Sequence, residues 1–242
     1  MKRGTFYGIG VGPGDPELMT VKGAKLLARC RNVFVPKAGN ASESLALEIA
    51  RRYLDPGSRV CELVFPMTTD RKELASVWEA SAEEIAASLE SGQDACFLTL
   101  GDPLLYSTYI YLLQSLRARI PGVEVVTVPG ITAMGAAASL AEFPIGRFKE
   151  PVTIVPAADD LRTVRQALAA GGTLVLMKVG RRLGQLVDLL ENEGFLDRSV
   201  FVSRAGMDGQ RIETDLRRLR GEDGETGYLS IILVRTEREE KR

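Results

Sequence analysis

Short apolar, β-branched runs recur along the chain, separated by stretches whose apolar positions return every three or four residues. The runs are "TFYGIGV", "NVFVP", "RVCELVF", "ACFLTL" and "VEVVTV", then "VTIVP", "TLVLMKV", "SVFVSR", "RIETD" and "YLSIILV". Their residue types suit an extended backbone on a buried or half-buried pleat. Between them, "PELMTVKGAKLLARC", "SESLALEIARRYL", "RKELASVWEASAEEIAASLES", "STYIYLLQSLRAR", "DLRTVRQALAA" and "RRLGQLVDLLENEG" carry the helical period. In the third of these, Leu74, Val77, Trp78, Ile85 and Leu89 form one stripe, which reads as a core face. Strands alternating with helices predict an α/β fold with mostly parallel or mixed sheets. Unbroken apolar runs such as "ACFLTL" predict central strands covered on both faces.

Ten strands are more than one sheet carries comfortably. Pro121-Gly122, inside "RARIPGVEV", offers a break. The expectation is therefore two α/β domains, 1–120 and 121–242. The charged tail "TEREEKR" reads as solvated and frayed.

Composition narrows the chemistry. The 242 residues are 45% hydrophobic and 26% charged, with a net charge of −1 at pH 7, so no global basic excess points to nucleic acid. No apolar run approaches the roughly 18 residues of a membrane span. The opening "MKRGTFYGIG" lacks the pattern of a secretory leader, and a cytoplasmic protein is expected. Cys30, Cys61 and Cys96 are odd in number and far apart, which argues against a disulfide framework or a metal site. They read as small core residues in a reducing compartment. Histidine is absent, so Ser-His-Asp and Cys-His catalysis are excluded. Proton transfer falls to a carboxylate, Tyr, Lys, Cys or water.

The stretch "YGIGVGPGDPELMT" has the look of a nucleotide loop. The dinucleotide fingerprint G-x-G-x-x-G fails in both registers. Counted from Gly8, the third position is Pro13; counted from Gly10, it is Asp15. No acidic residue lies between Glu17 and Glu43 to hold a ribose. Asp15 and Glu17 would also oppose a pyrophosphate. Two unit charges about 5 Å apart at an effective dielectric near 20 interact by roughly 3 kcal/mol. A neutral or cationic ligand escapes that cost. Equally, the two carboxylates could do no more than favour a first helical turn after Pro13-Gly14.

Three further turns follow apolar strands. "FLTLGDPLLYSTYIYLL" ends its strand at Gly101-Asp102-Pro103, where Asp102 could cap the next helix or meet a ligand amine. "VPGITAMGAAASLAEFP" turns at Pro129-Gly130 into small residues that admit close approach by a ligand or by another helix. "TLVLMKVGRR" puts Met177 and Lys178 at a strand end, where a Met suits a flat ring or a core gap.

Taken together and in order, "GIGVGPGDPELMTVKGAKLL", "FLTLGDPLLYSTYIYLL", "VPGITAMGAAASL", "LVLMK" and "GYLSIILV" resemble the tetrapyrrole (corrin/porphyrin) methyltransferase family. The resemblance runs from Tyr7 to Val234, and "FPMTTDR" with "GDPLLYSTY" is most similar to the branch that methylates C20 of precorrin-2 or of cobalt-factor II. It implies two α/β domains with a ligand cleft between them, a homodimer, S-adenosylmethionine as methyl donor and a tetrapyrrole substrate. It assigns cofactor contacts to Pro13, Leu100, Gly101, Asp102, Leu105, Tyr106, Thr132, Ala133, Met177, Ala205, Tyr228, Leu229 and Ser230. "GYLS" departs from the Pro-Ala found at that place in uroporphyrinogen methylases. Gly12, Gly14 and Asp15 fall on the tetrapyrrole side. Arg71 and Lys178 are the preferred anchors for substrate carboxylates, among candidates that also include Lys37, Lys72, Arg147, Lys149, Arg181, Arg182 and Arg204. For the proton that must leave the methylated carbon, Asp15 or a water held by Tyr106 is the candidate base. Three other readings stay open: a sister methylase acting on another ring position or on a protein or ribosomal RNA, a dinucleotide-binding oxidoreductase, and a non-catalytic tetrapyrrole-binding protein.

Overall fold

All ten apolar runs form strands, and they gather into two five-stranded sheets. The structure is a computed structural model, and it describes residues 2–39, 43–66, 68–156, 160–222, 224 and 226–237. Most of the charged tail, from residue 238 on, lies outside the described residues, as does Met67 of "FPMTTDR". The chain divides into two units, Met1–Thr132 and Ala133–Arg242. The expected division at 120/121 comes earlier, before strand β5 (Val125–Val128). β5 pairs in parallel with β1 (Phe6–Gly10), so the first sheet is complete only after it.

In the first unit the sheet order is β3-β2-β4-β1-β5, with β2 at Asn32–Ala38, β3 at Arg59–Phe65 and β4 at Ala95–Thr99. Every pairing is parallel. The helices are α1 (Val21–Leu27), α2 (Leu45–Ala50), α3 (Arg71–Glu90) and α4 (Tyr109–Arg119). The Asp70 carboxylate caps α3 by accepting the Lys72 and Glu73 N–H groups at 2.8 and 3.4 Å. The predicted α3 stripe is buried at Ile85 and Leu89, while Trp78 stacks on Tyr111 of α4 at 4.5 Å. With Leu112 and Leu116 of α4 they cover Phe6, Phe34 and Phe97 of the sheet. The helix expected from Pro16 begins only at Val21, because Thr20 caps α1 through the Gly23 N–H and leaves Pro16–Leu18 as a separate 3₁₀ turn.

This strand order fixes where a ligand can sit. From β1 the chain moves toward β2 on one side, and from β4 it moves toward β5 on the other. Right-handed crossovers then place α1 and α4 on opposite faces of the sheet. Beyond the carboxyl ends of the adjacent strands β1 and β4 the two connections part, which leaves a crevice there.

The second unit opens with α5 (Ala133–Leu140). It continues through β6 (Val152–Pro156), α6 (Leu161–Ala169), β7 (Thr173–Met177), α7 (Leu183–Asn192), β8 (Ser199–Ser203), β9 (Arg211–Glu213) and β10 (Ser230–Arg235). The order is β6-β7-β10-β8-β9. Only β6 and β7 run parallel; β10 is antiparallel to both neighbours, so this sheet is mixed. Its strands alternate as period two demands. Leu174, Leu176, Ile232 and Val234 face the cluster built with α6 and α7. Val175, Ile231 and Leu233 face the smaller cluster built with Ala136 and Ala137 of α5.

Candidate functional site

In the first unit the turns that follow β1, β4 and β5 pack closely, backbone against backbone. Gly12 and Gly101 form an isolated bridge, with the Gly101 N–H donating to the Gly12 carbonyl at 2.7 Å and the Gly12 N–H to the Gly101 carbonyl at 3.4 Å. The Gly101 carbonyl oxygen sits against both other turns. A Cβ added at Gly10 would meet it at 2.6 Å and one added at Gly130 at 2.0 Å, so neither place admits a side chain. Gly12 and Gly101 hold φ values of 85° and 69°, the left-handed region that favours glycine. The result is a tight packing of backbone on backbone at the crevice that the strand order creates, with Gly10, Gly12 and Gly101 buried.

The expected residues Gly12, Pro13, Gly14, Leu100, Gly101, Asp102, Leu105, Tyr106 and Thr132 all lie on these turns. The Asp102 carboxylate does not cap α4, which starts only at Tyr109. Its Oδ1 accepts the Leu104 N–H at 2.9 Å and its Oδ2 accepts the Gly130 N–H at 3.1 Å. Tyr106 is half exposed and holds φ 52°, an uncommon conformation for a bulky residue and one that gathers at functional sites. Asp15 caps the Pro16–Leu18 turn, accepting the Glu17 N–H at 2.8 Å, and the Tyr53 hydroxyl ties that turn down at the Pro16 carbonyl.

Of the expected carboxylate anchors, Lys37 lies near the carboxyl end of β2 and is held by Glu62 at 2.8 Å. Arg71 is the first residue of α3, exposed and without an ion pair among the described residues. Lys178 follows β7 in the second unit.

That unit gathers its own expected residues at one end of its sheet. Met177 ends β7, Ser203 ends β8, and Ser230 starts the antiparallel β10 between them, with Ser230 opposite Ser203 and Ile231 opposite Met177. Ala133, Met177 and Ala205 belong to the same apolar cluster. The Arg204 N–H donates to the Leu229 carbonyl at 3.0 Å, the Gly180 N–H to the Gly227 carbonyl at 2.8 Å, and the Ser230 hydroxyl to Gly227 at 2.6 Å. Lys178, Arg204 and Leu229 all hold positive φ, 55°, 50° and 53°. Three strained non-glycine residues at adjacent strand ends mark a place that the surrounding structure over-determines. Tyr228 beside them is exposed.

Two of the residues that shape the first cluster were not among the expected contacts: Gly10 and Gly130. Their signal was present as the glycines of "GIGVG" and "VPG", but which glycine meets which carbonyl follows from strand order alone. A cavity of about 250 Å³ lies elsewhere, lined by Asn32, Arg59, Cys61, Glu84 and Gln93 at the amino ends of β2 and β3. Burial pushes the Cys61 thiol above its ordinary pKa there, with Arg59 working against it. No group of three or more metal-binding side chains occurs among the described residues. Among those residues, no helix is long and apolar enough to cross a membrane.

Residues 5–219 match the family model described as Tetrapyrrole (Corrin/Porphyrin) Methylases. The chain is 34% identical over 232 residues to a cobalt-precorrin-2 C(20)-methyltransferase of Salmonella typhimurium, covering 96% of each chain. It is 34% identical to a precorrin-2 C(20)-methyltransferase of a Sinorhizobium species, covering 96% of this chain and 95% of that one. Among solved structures, cobalt precorrin-4 methyltransferase superposes with a TM-score of 0.72 at 22% identity, over 96% of this chain and 94% of that one. Uroporphyrin-III C-methyl transferase from Thermus thermophilus, solved with S-adenosylhomocysteine, superposes with a TM-score of 0.67 at 21% identity, over 96% and 97%.

Proposed function

The chain belongs to the tetrapyrrole (corrin/porphyrin) methylase family, and from that premise we propose that it transfers a methyl group from S-adenosylmethionine to C20 of precorrin-2 or of its cobalt-bound counterpart, in cobalamin biosynthesis. The likeness at 34% identity to two C20-methyltransferases, over 96% of this chain in each case, carries the reading.

The local chemistry supports such a ligand over a dinucleotide. A pyrophosphate wants free backbone donors at a strand-to-helix turn. Here the Gly130 N–H already serves the Asp102 carboxylate, and Asp15 stands on the neighbouring turn. A donor with a sulfonium, an ammonium and one carboxylate is net positive and escapes the repulsion that a pyrophosphate would meet.

Bound S-adenosylmethionine supplies an electrophilic methyl group. The residues' task is to hold it in line with the ring carbon, and orientation of this kind lowers a barrier by roughly 7–11 kcal/mol. In the first unit Pro13, Leu100–Asp102, Leu105, Tyr106 and Thr132 are the proposed cofactor residues. In the second they are Ala133, Met177, Ala205 and Tyr228–Ser230. Gly12, Gly14 and Asp15 face the tetrapyrrole in this reading. Arg71 and Lys178 take its carboxylates, and Lys37 does so by exchanging Glu62 for a substrate carboxylate. As the carbon–carbon bond forms, the carbon–sulfur bond breaks and a proton leaves C20, with Asp15 or water near Tyr106 as acceptor. The homodimeric state and the cytoplasm belong to the same reading. The three free cysteines suit a reducing compartment, and sedimentation equilibrium should return twice the 26.3 kDa chain mass.

Thermal melting with ligand tests the cofactor. At one hundred times its dissociation constant a ligand adds about 2.7 kcal/mol of stability, so S-adenosylhomocysteine should raise the melting temperature by several degrees. A shift with NAD or NADP, and none with S-adenosylhomocysteine, would turn the assignment to the oxidoreductase.

A further inference from the structure

We infer that Asp102 is a positioning residue: its carboxylate straps the turn after β5 to the turn after β4, and through that strap shapes the surface of these two turns that receives the methyl donor. Both carboxylate oxygens are occupied by main-chain donors. Oδ1 closes a local turn on Leu104, and Oδ2 reaches across 28 positions of sequence to Gly130. The second bond joins two connections that follow different strands, β4 and β5. It also lands at the tightest point of the cluster, where the Gly130 backbone lies against the Gly101 carbonyl.

Charge is the reason for Asp at this place. One carboxylate accepts two N–H groups at once, and charge-assisted bonds are about twice as strong as neutral ones. Asparagine has one acceptor oxygen. Kept in the Leu104 turn, it would present its amide N–H₂ to the Gly130 N–H, donor against donor. The turn after β5 would then move off the Gly101 carbonyl, and the surface would lose its shape without losing the fold. In this role Asp102 meets the donor only through its main chain, and its carboxylate acts through the two turns it holds.

The role in methyl-donor binding rests on the methylase reading, while the strap itself does not. The experiment therefore has two arms on the full chain and its Asp102→Asn variant. Amide hydrogen exchange without ligand reads the strap: Gly130 should lose protection by about ten- to hundredfold, the range expected for a lost hydrogen bond to a charged group, while Leu104 keeps most of its own. Calorimetry with S-adenosylhomocysteine reads the consequence: affinity should fall by a comparable factor, with the melting temperature of the free protein lowered only slightly. In turnover the KM for the methyl donor should rise, and the KM for the tetrapyrrole should hold. Should the Asn protein fail to fold, Asp102→Glu keeps the charge and displaces the carboxylate by one methylene, and the same pattern is expected. Weakened affinity with unchanged Gly130 exchange would mean direct ligation and overturn the proposal. Lost protection with unchanged affinity would overturn it as well. If the unaltered chain binds no S-adenosylhomocysteine, the methylase reading fails, and the exchange arm still decides whether the strap exists.

Discussion

A methyl group added at Gly130 would stand 2.0 Å from the Gly101 carbonyl oxygen, a backbone atom that cannot swing aside. Gly130→Ala should therefore destabilise the chain by about 2–4 kcal/mol, above the usual overpacking cost because backbone must move. The midpoint of urea unfolding measures it, and a change below 0.5 kcal/mol, the range of neutral surface changes, would show that the turn yields freely. At this scale the sequence was informative about residue types and poor about reasons. Gly8 looked like part of a ligand loop, yet its missing Cβ makes room for the buried Tyr109 ring, which a Cβ would meet at 2.2 Å. Asp102 was singled out, but its partner Gly130 could not be named, since nothing local in the sequence brings the two turns together. The positive φ values of Tyr106, Lys178, Arg204 and Leu229 carry no sequence mark at all, because none of these residue types favours that conformation.

Among the elements, strands were the most legible, because each apolar run is long enough to be covered on at least one face. α5 was the least, since "AMGAAASL" is nearly uniform in size and gives little contrast between faces. The α1 start was misplaced by a capping threonine that competes with Pro16 as the start signal. Ionic ties between short elements were equally invisible. Arg217, on the 3₁₀ turn Leu216–Leu219, reaches Asp197 on the turn Leu196–Arg198 at 2.7 Å. The hydrogen bond from Arg217, aided by its charge, holds the Asp197 carboxyl below the ordinary range. A depressed carboxylate pKa means that the unfolded chain takes up the proton first as pH falls. The tie thus stabilises the fold above the unfolded carboxylate pKa, about 3.9, and is lost as pH drops through the lower folded value. Arg217→Ala should lower stability slightly at pH 7 and make the acid limb of the stability curve shallower below about pH 4, as read by urea midpoints. An unchanged acid limb would assign acid sensitivity to other carboxylates.

At the scale of the whole chain, alternation of strands and helices was enough for two α/β units, but not for where they divide. The Pro121-Gly122 break is a turn before β5, and β5 joins the first sheet by pairing with β1, more than a hundred positions away in sequence. Such a pairing leaves no trace in local pattern. Family and reaction came through because several motifs recur in a fixed order, each of them weak alone. The mixed second sheet, with β10 placed between β7 and β8, explains why residues from three separate stretches meet at one end of the sheet. The central claim concerns one bond, from the donor methyl carbon to a meso carbon of the ring. The chain should be incubated with S-adenosylmethionine carrying a ¹³C methyl group and, in separate reactions, with precorrin-2 and with cobalt-factor II, and the product examined by NMR. A single labelled methyl on C20 from at least one of the two substrates is the predicted result. A label on any other ring carbon, or no transfer to either substrate, would contradict it.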